Sequence, residues 1–182
     1  MTSDAHANDR IIGSLRSADG TGIVRIEDRI DTDIDDLWSA LTDPKRLTGW
    51  YGEVDGELRP GGALHLHVVS DGWYGTGHVD ACEPPGRLRV TTRETDESWK
   101  AGQGAAPFDE TIELTLTGDG DRTHLVIEVG GLPLDKIAFY GVGWQIHVEH
   151  LAAYLAGRDA GDTEARWDQL IPPYKDLAAK LG

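Results

Sequence analysis

At 182 residues the chain suits one domain with tails, and it is long enough to bury a core without covalent staples. Thirty-two acidic against 17 basic side chains leave a net charge of −15, which opposes unaided binding to nucleic acid or anionic lipid. The single cysteine, Cys82, excludes an internal disulfide and a thiol-rich metal cluster, and no uninterrupted apolar run is long enough for a membrane-spanning helix. The opening MTSDAHANDR has no apolar core of the secretory kind, so a cytoplasmic setting is expected.

Residues 1 to 20 are polar and without period, and read as a flexible tail with room for a short strand at Ile11–Leu15. Gly22 to Asp31 alternates, with Val24 and Ile26 on one face and Arg25, Glu27 and Arg29 on the other, which predicts a strand. Asp31, Thr32 and Asp33 then offer helix caps, and Ile34, Leu37, Trp38 and Leu41 form the apolar side of a short helix. Thr42-Asp43-Pro44 stops that helix and starts another, which exits through Leu47, Trp50 and Tyr51.

The period then changes from helix to strand. Val54 to Leu58, Ala63 to Val69, Trp73 to Cys82, Arg87 to Arg93, Thr111 to Thr117 and Thr123 to Val129 read as strands, separated by Gly-, Pro- and Asp-rich turns. Leu64, Leu66, Leu88, Val90, Ile112, Leu114 and Leu116 take the inward parity. Turns at such short spacing imply a mostly antiparallel sheet. The stretch from Glu94 to Pro107 is a polar, Gly-rich loop containing Trp99, suited to a lid or to simple mobility.

Pro133 to Arg158 carries the one long helical pattern. Ile137, Tyr140, Gly141, Trp144, His147, Val148, Leu151 and Leu155 recur at three- and four-residue steps, while Lys136, Gln145 and Glu149 fall off that stripe. Gly157 marks its exit. Residues 159 to 182 form a charged extension, in which Trp167, Leu170, Ile171, Tyr174, Leu177 and Leu181 predict one more short amphipathic helix. It either packs back on the domain or makes a homodimer contact.

Few residues here are placed for chemistry. His65 and His67 share a strand face and could bind a metal given a third ligand, for which His78 on the neighbouring strand is a candidate, but solvated outer-face histidines are the favoured reading, so no metal is expected. There is no P-loop, dinucleotide fingerprint or nucleophile elbow, and Cys82 has no local base, so neither a cofactor nor a catalytic residue is singled out. The aromatic set Trp50, Tyr51, Trp73, Tyr74, Tyr140 and Trp144 is the strongest functional signal. Rings with one polar tip suit a pocket wall, although Trp50 and Trp38 serve equally as core anchors. His147 lies on the same stripe, either as a satisfied core histidine or as a group that orients a ligand.

The order of elements and four strings resemble the START-like (SRPBCC, helix-grip) superfamily, and within it the activator of heat-shock-protein-90 ATPase homologue-like group. The strings are ALTDPKRLTGWYG (Ala40 to Gly52), LRPGGALHLHV (Leu58 to Val68), GTGHVDACEPPGRLRVT (Gly75 to Thr91) and GVGWQIHVEHLAAYL (Gly141 to Leu155). The resemblance covers Thr21 to Arg158, and makes residues 21–158 the domain, 1–20 the tail and 159–182 an extension. It implies an α+β fold: a curved antiparallel sheet wrapped around a long C-terminal helix, with two short helices closing one end and a cavity between. Co-chaperones of that group use a separate N-terminal domain to engage the chaperone, which twenty polar residues do not supply. The function expected is therefore binding of a small hydrophobic or aromatic ligand, without catalysis. The walls would come from Leu64, Leu66, Val90, Ile112 and Leu114, with Trp50, Tyr51, Tyr140, Trp144 and His147 at the mouth and on the helix side. The alternatives are a polyketide-cyclase/dehydratase-like enzyme using His147, Tyr140 or Asp80 as acid–base, and a chaperone-related or regulatory interaction module.

Overall fold

The computed structural model describes residues 10–68, 72–95 and 107–182. Eight strands form one antiparallel sheet: β1 (Gly13–Ala18), β2 (Thr21–Ile30), β3 (Glu53–Gly56), β4 (Ala63–Val68), β5 (Trp73–Glu83), β6 (Arg87–Glu94), β7 (Asp109–Asp119) and β8 (Arg122–Leu132). Their order is β1-β2-β8-β7-β6-β5-β4-β3. Helices α1 (Ile34–Thr42) and α2 (Pro44–Leu47) carry the chain from β2 to β3 at the far edge. After a 3-10 turn at Leu134–Lys136 come the long helix α3 (Ile137–Leu155) and a final helix α4 (Thr163–Ala179). This is the α+β helix-grip architecture expected from the sequence.

The local signals act as read. Asp33 caps α1 by accepting from the Asp36 N–H at 2.9 Å. Asp43 ends α1 and caps α2, whose first residue is Pro44. Helix α3 closes on Gly157 at φ +65°, with Gly157 N–H donating to the Tyr154 carbonyl and Arg158 N–H to that of Ala153. That pair of bonds is the Schellman exit, and it favours glycine because of the positive φ. Pro133 lies before the helix, in extended backbone, rather than in its first turn.

Alternation puts Val24, Ile26, Leu64, Leu66, Val79, Leu88, Val90, Ile112, Leu114, Leu116, Leu125, Ile127 and Val129 on one concave face. There they form a single buried cluster with Ile137, Val148 and Leu151 of α3. Residue pairs in register across β6 and β7, such as Val90 with Ile112 and Leu88 with Leu114, keep that parity uniform. Arg25, Arg87, Arg89 and Arg93 lie on the convex face, where each meets a carboxylate on its own or a neighbouring strand.

The short strand allowed for at Ile11–Leu15 is present as β1, shifted to Gly13–Ala18, where it pairs with β2 while Ile11, Ile12 and Leu15 pack into the core. The extension forms a 17-residue helix rather than a short one, and it covers the back of α3. Leu170 and Tyr174 are wholly buried there with Ala138, Val142 and Ile146. Gln145, placed off the apolar stripe by periodicity, is therefore buried too, at 0% exposure. Its amide is saturated: it accepts from Ile12 N–H (3.2 Å) and Tyr174 O–H (2.7 Å), and donates to the Arg10 carbonyl (2.8 Å) and Glu149 (2.9 Å). Gly141, on the helical stripe by period, faces α4, where a Cβ would stand 2.5 Å from the Tyr174 ring. No helix among the described residues is long and apolar enough to cross a membrane.

Candidate ligand site between the sheet and the long helix

The concave face is apolar until its β6–β7 end. Alternation along β6 runs Leu88, Val90, Thr92, and along β7 it runs Leu114, Ile112, Glu110, so each strand turns polar at the same level. Thr92 and Glu110 stand opposite one another in register. Thr92 is 1% exposed, and its hydroxyl is the one buried side-chain oxygen or nitrogen without a hydrogen-bond partner among the described residues. Across β5, Gly77 lies beside Thr92, and the Trp73 ring folds back over Gly75 within the space a side chain would need.

Glu110 keeps a rim of surface open, yet enough protein surrounds its carboxyl to push its pKa up to about 7. Burial is the whole cause, and no cation offsets it. Tyr140, on α3, sits close enough to Glu110, Glu94 and Asp135 that their charges add to burial in raising its hydroxyl well above the ordinary phenol range. Its ring meets Phe108 edge-on, with centroids 6.0 Å apart.

One and two turns further along α3, Trp144 and His147 continue the line. The His147 ring meets Tyr51 edge-on at 5.0 Å and Trp144 at 5.5 Å, while Tyr51 and Trp144 stack at 6.4 Å. Burial, with a smaller push from His150, lowers the His147 imidazole to about 4, so it is neutral at neutral pH. Phe108, Glu110, Tyr140, Trp144, His147 and Tyr51 all keep part of their surface open. The core thus presents a partly open edge of rings and polar tips.

The residues chosen from the sequence fall into this frame in three ways. Leu64, Leu66, Val90, Ile112 and Leu114 are buried on the concave face, and Tyr51, Tyr140, Trp144 and His147 gather along α3. Trp50 stands at the margin: its indole N–H donates to the Ala40 carbonyl at 3.0 Å, tying the α2 exit to α1. Asp80 and Tyr74 do not belong. Asp80 is on the convex face, accepting from the Thr91 hydroxyl at 2.8 Å and pairing with His78 at 3.0 Å. Tyr74 is on that face too, stacked on His67 at 4.0 Å. His65 is exposed there as well, and among the described residues no three His, Cys, Asp or Glu side chains converge as metal ligands would. The stretch 96–106, with Trp99 and most of the proposed lid, lies outside the described residues.

Sequence reading missed Thr92 and Glu110. Two-residue steps from Leu88 and Val90 forward, and from Leu114 and Ile112 backward, would have reached both. Two depressions open on the surface, one of them sharing Tyr51 with the aromatic edge. One, of about 550 Å³, is lined by Trp50, Tyr51, His150 and Tyr154. The other, of about 510 Å³, lies between Arg10, Asp28, Glu149 and Arg166. Neither is lined by the concave face.

Solved structures share the fold. The crystal structure of CalU16 from Micromonospora echinospora is 26% identical, over 91% of this chain and 95% of that one, at a TM-score of 0.71. DynU16, a protein in the dynemicin biosynthetic locus, is 27% identical over 76% of this chain and 49% of that one, at 0.64. MLL2253 from Mesorhizobium loti is 26% identical over 75% and 98%, at 0.63. Curated protein sequences give no match. The family model described as activator of Hsp90 ATPase homolog 1-like protein matches residues 31–156, from the cap of α1 to the end of α3, and the chain belongs to that family, within the START-like superfamily.

Proposed function

We propose that this protein binds a small hydrophobic or aromatic molecule between its sheet and α3, and that residues 21–158 form the binding unit, with β1 and α4 backing it. The carrying observation is the Thr92 hydroxyl, 1% exposed and unpartnered, at the end of an apolar face lined by half-open rings. Buried hydroxyls are normally bonded, and a group from outside the chain would complete this one. The apolar walls supply affinity by burial, and Tyr51, Tyr140, Trp144 and His147 shape the entrance. DynU16, a protein of a biosynthetic locus, fits such a role by analogy.

A proton-transfer enzyme of the cyclase or dehydratase type is the second reading. Glu110 favours it, because a carboxyl pushed up to about 7 and set beside the Tyr140 hydroxyl is poised to exchange a proton near neutrality. An interaction module built on residues 159–182 finds less support, since the apolar side of α4 is occupied by its own domain.

Native mass spectrometry of the purified protein, followed by denaturing extraction, tests the first reading. Retention of one defined small molecule, lost from Trp144→Ala, is the expected result. A molecule that leaves chemically altered moves the assignment to the enzyme. An empty protein whose tryptophan fluorescence is unmoved by a panel of polycyclic aromatics overturns both.

A further inference from the structure

The charges of β6 and β7 are sorted by face. On the convex side Arg87 and Arg89 meet Glu113, Arg89 also meets Asp80, and Arg93 meets Asp109. On the concave side Glu110 has neither a hydrogen-bond partner nor a cation among the described residues. Its titratable neighbour is Tyr140 of α3, whose hydroxyl also feels the charges of Glu94 from β6 and Asp135 from the 3-10 turn, so this end of the face is acidic. An ionised carboxylate in that position lacks a counter-charge, and in a chain of net charge −15 the general field does not supply one.

Two further features sit with it. The Thr92 oxygen faces Glu110 in register and has two lone pairs unused. Tyr140 is close enough for the Glu110 charge to act on its hydroxyl, its ring meets Phe108 edge-on and Trp144 follows one turn along α3, and aromatic faces attract cations. A hydroxyl-bearing ligand would satisfy Thr92 but leave the carboxylate without a counter-charge. An ammonium group satisfies all three: its N–H donors serve the carboxylate and the hydroxyl, and its charge lies against the rings.

We infer that the occupant of the concave site is an organic cation, a protonated amine on a hydrophobic, preferably aromatic body, held by the Glu110 carboxylate and the Thr92 oxygen beside the Tyr140 ring. This rests on the enclosure reading given above and specifies its ligand class. The pH dependence separates it from a carbonyl ligand. A carbonyl oxygen needs Glu110 protonated, so its affinity falls as pH rises. An amine needs Glu110 ionised, so its affinity rises across neutrality while the amine keeps its proton.

The test is calorimetric titration with three matched probes, naphthylmethylamine, naphthylmethanol and naphthoate. At about pH 8 the amine is expected to bind about tenfold tighter than the alcohol, with naphthoate weakest, and the advantage is expected to vanish near about pH 5.5. Glu110→Gln removes the advantage and leaves the affinity for the alcohol, and Thr92→Val weakens the amine severalfold. Should either variant fail to fold, the pH profile of the unmodified protein decides. An alcohol that matches the amine at every pH, or an amine advantage that survives in E110Q, overturns the cation assignment while the enclosure reading stands. If none of the three probes binds, both fall.

Discussion

Glu110→Gln is expected to stabilise the fold, and to do so only above a definite pH. Burial raises the folded carboxyl from 4.5 to about 7. At 1.36 kcal/mol per unit this is a penalty of about 3 kcal/mol on the ionised form, or about 2 after allowing for its open rim. The sign follows from the direction of the shift. The folded state holds this proton more tightly than the unfolded state, so the contribution is most favourable below pH 4.5 and is lost as pH rises through about 7. Glutamine keeps the shape and never ionises. Urea denaturation followed by tryptophan fluorescence should give equal stabilities for the two proteins on the acid side, with curves separating between pH 4.5 and about 7 and E110Q ahead by about 2 kcal/mol on the alkaline plateau. His147 works in the opposite window, since its lowered pKa costs stability as pH falls from 6.5 towards about 4. The carboxylates of Glu27, Asp36, Asp109 and Glu128, all held low by bonded partners, also lose their contribution on acidification. All five are common to both proteins and cancel in the difference. An offset independent of pH, or an E110Q protein less stable at every pH, would refute the reasoning.

Three further outcomes are expected. Gly141→Ala gains about 1 kcal/mol of helix propensity but drives a Cβ to 2.5 Å from the Tyr174 ring, so a net loss of about 1–2 kcal/mol should appear, with faster hydrogen exchange along α4. Tyr174→Phe removes a buried 2.7 Å bond to Gln145 while Ile12 N–H still serves the same oxygen, and should lower stability by about 1–2 kcal/mol in urea. Thr92→Val deletes an unpartnered buried hydroxyl at nearly constant volume and should raise stability by about 1 kcal/mol, where a bonded threonine would give a loss.

Most of the fold was legible because two periods carry it. Step-two alternation in ALHLHV and RLRVTTRE named the concave walls, and the three- and four-residue stripe of α3 named the helix that fills them. The misreadings have a common cause: the period of one segment shows which residues share a face, not what covers it. Gln145 was misplaced because α4 buries the face that periodicity alone assigns to water, and Gly141, on the stripe by period, meets α4 rather than the sheet. Asp80 was a candidate acid until the irregularity of β5 between Val79 and Ala81 and the hydroxyl of Thr91 fixed it on the convex side. Thr92 and Glu110 were passed over for the reverse reason. Thr92 closes an apolar run and Glu110 precedes the strand predicted from Thr111, so neither stood out, although the parity that makes Val90 and Ile112 inward makes them inward too.

The two faces of α3 treat polar burial differently, and the contrast bears on function. On the back, Gln145 is completely buried, yet every donor and acceptor of its amide is used, and Glu149 is held by Arg166 at 2.7 Å. On the front, Thr92 is as deeply buried with its oxygen unused, and Glu110 carries a raised pKa with nothing to offset its charge. Neither group is forced on the fold, since valine and glutamine would fit the same strand positions at lower cost. A chain that satisfies one polar cluster fully and leaves another open, at the partly exposed end of its core, departs from internal consistency at one place. Such departures concentrate where stability has been given up for binding or chemistry. The β6–β7 end of the concave face is accordingly the place to look for the ligand. The two surface depressions contain no buried polar group in need of a partner among the described residues.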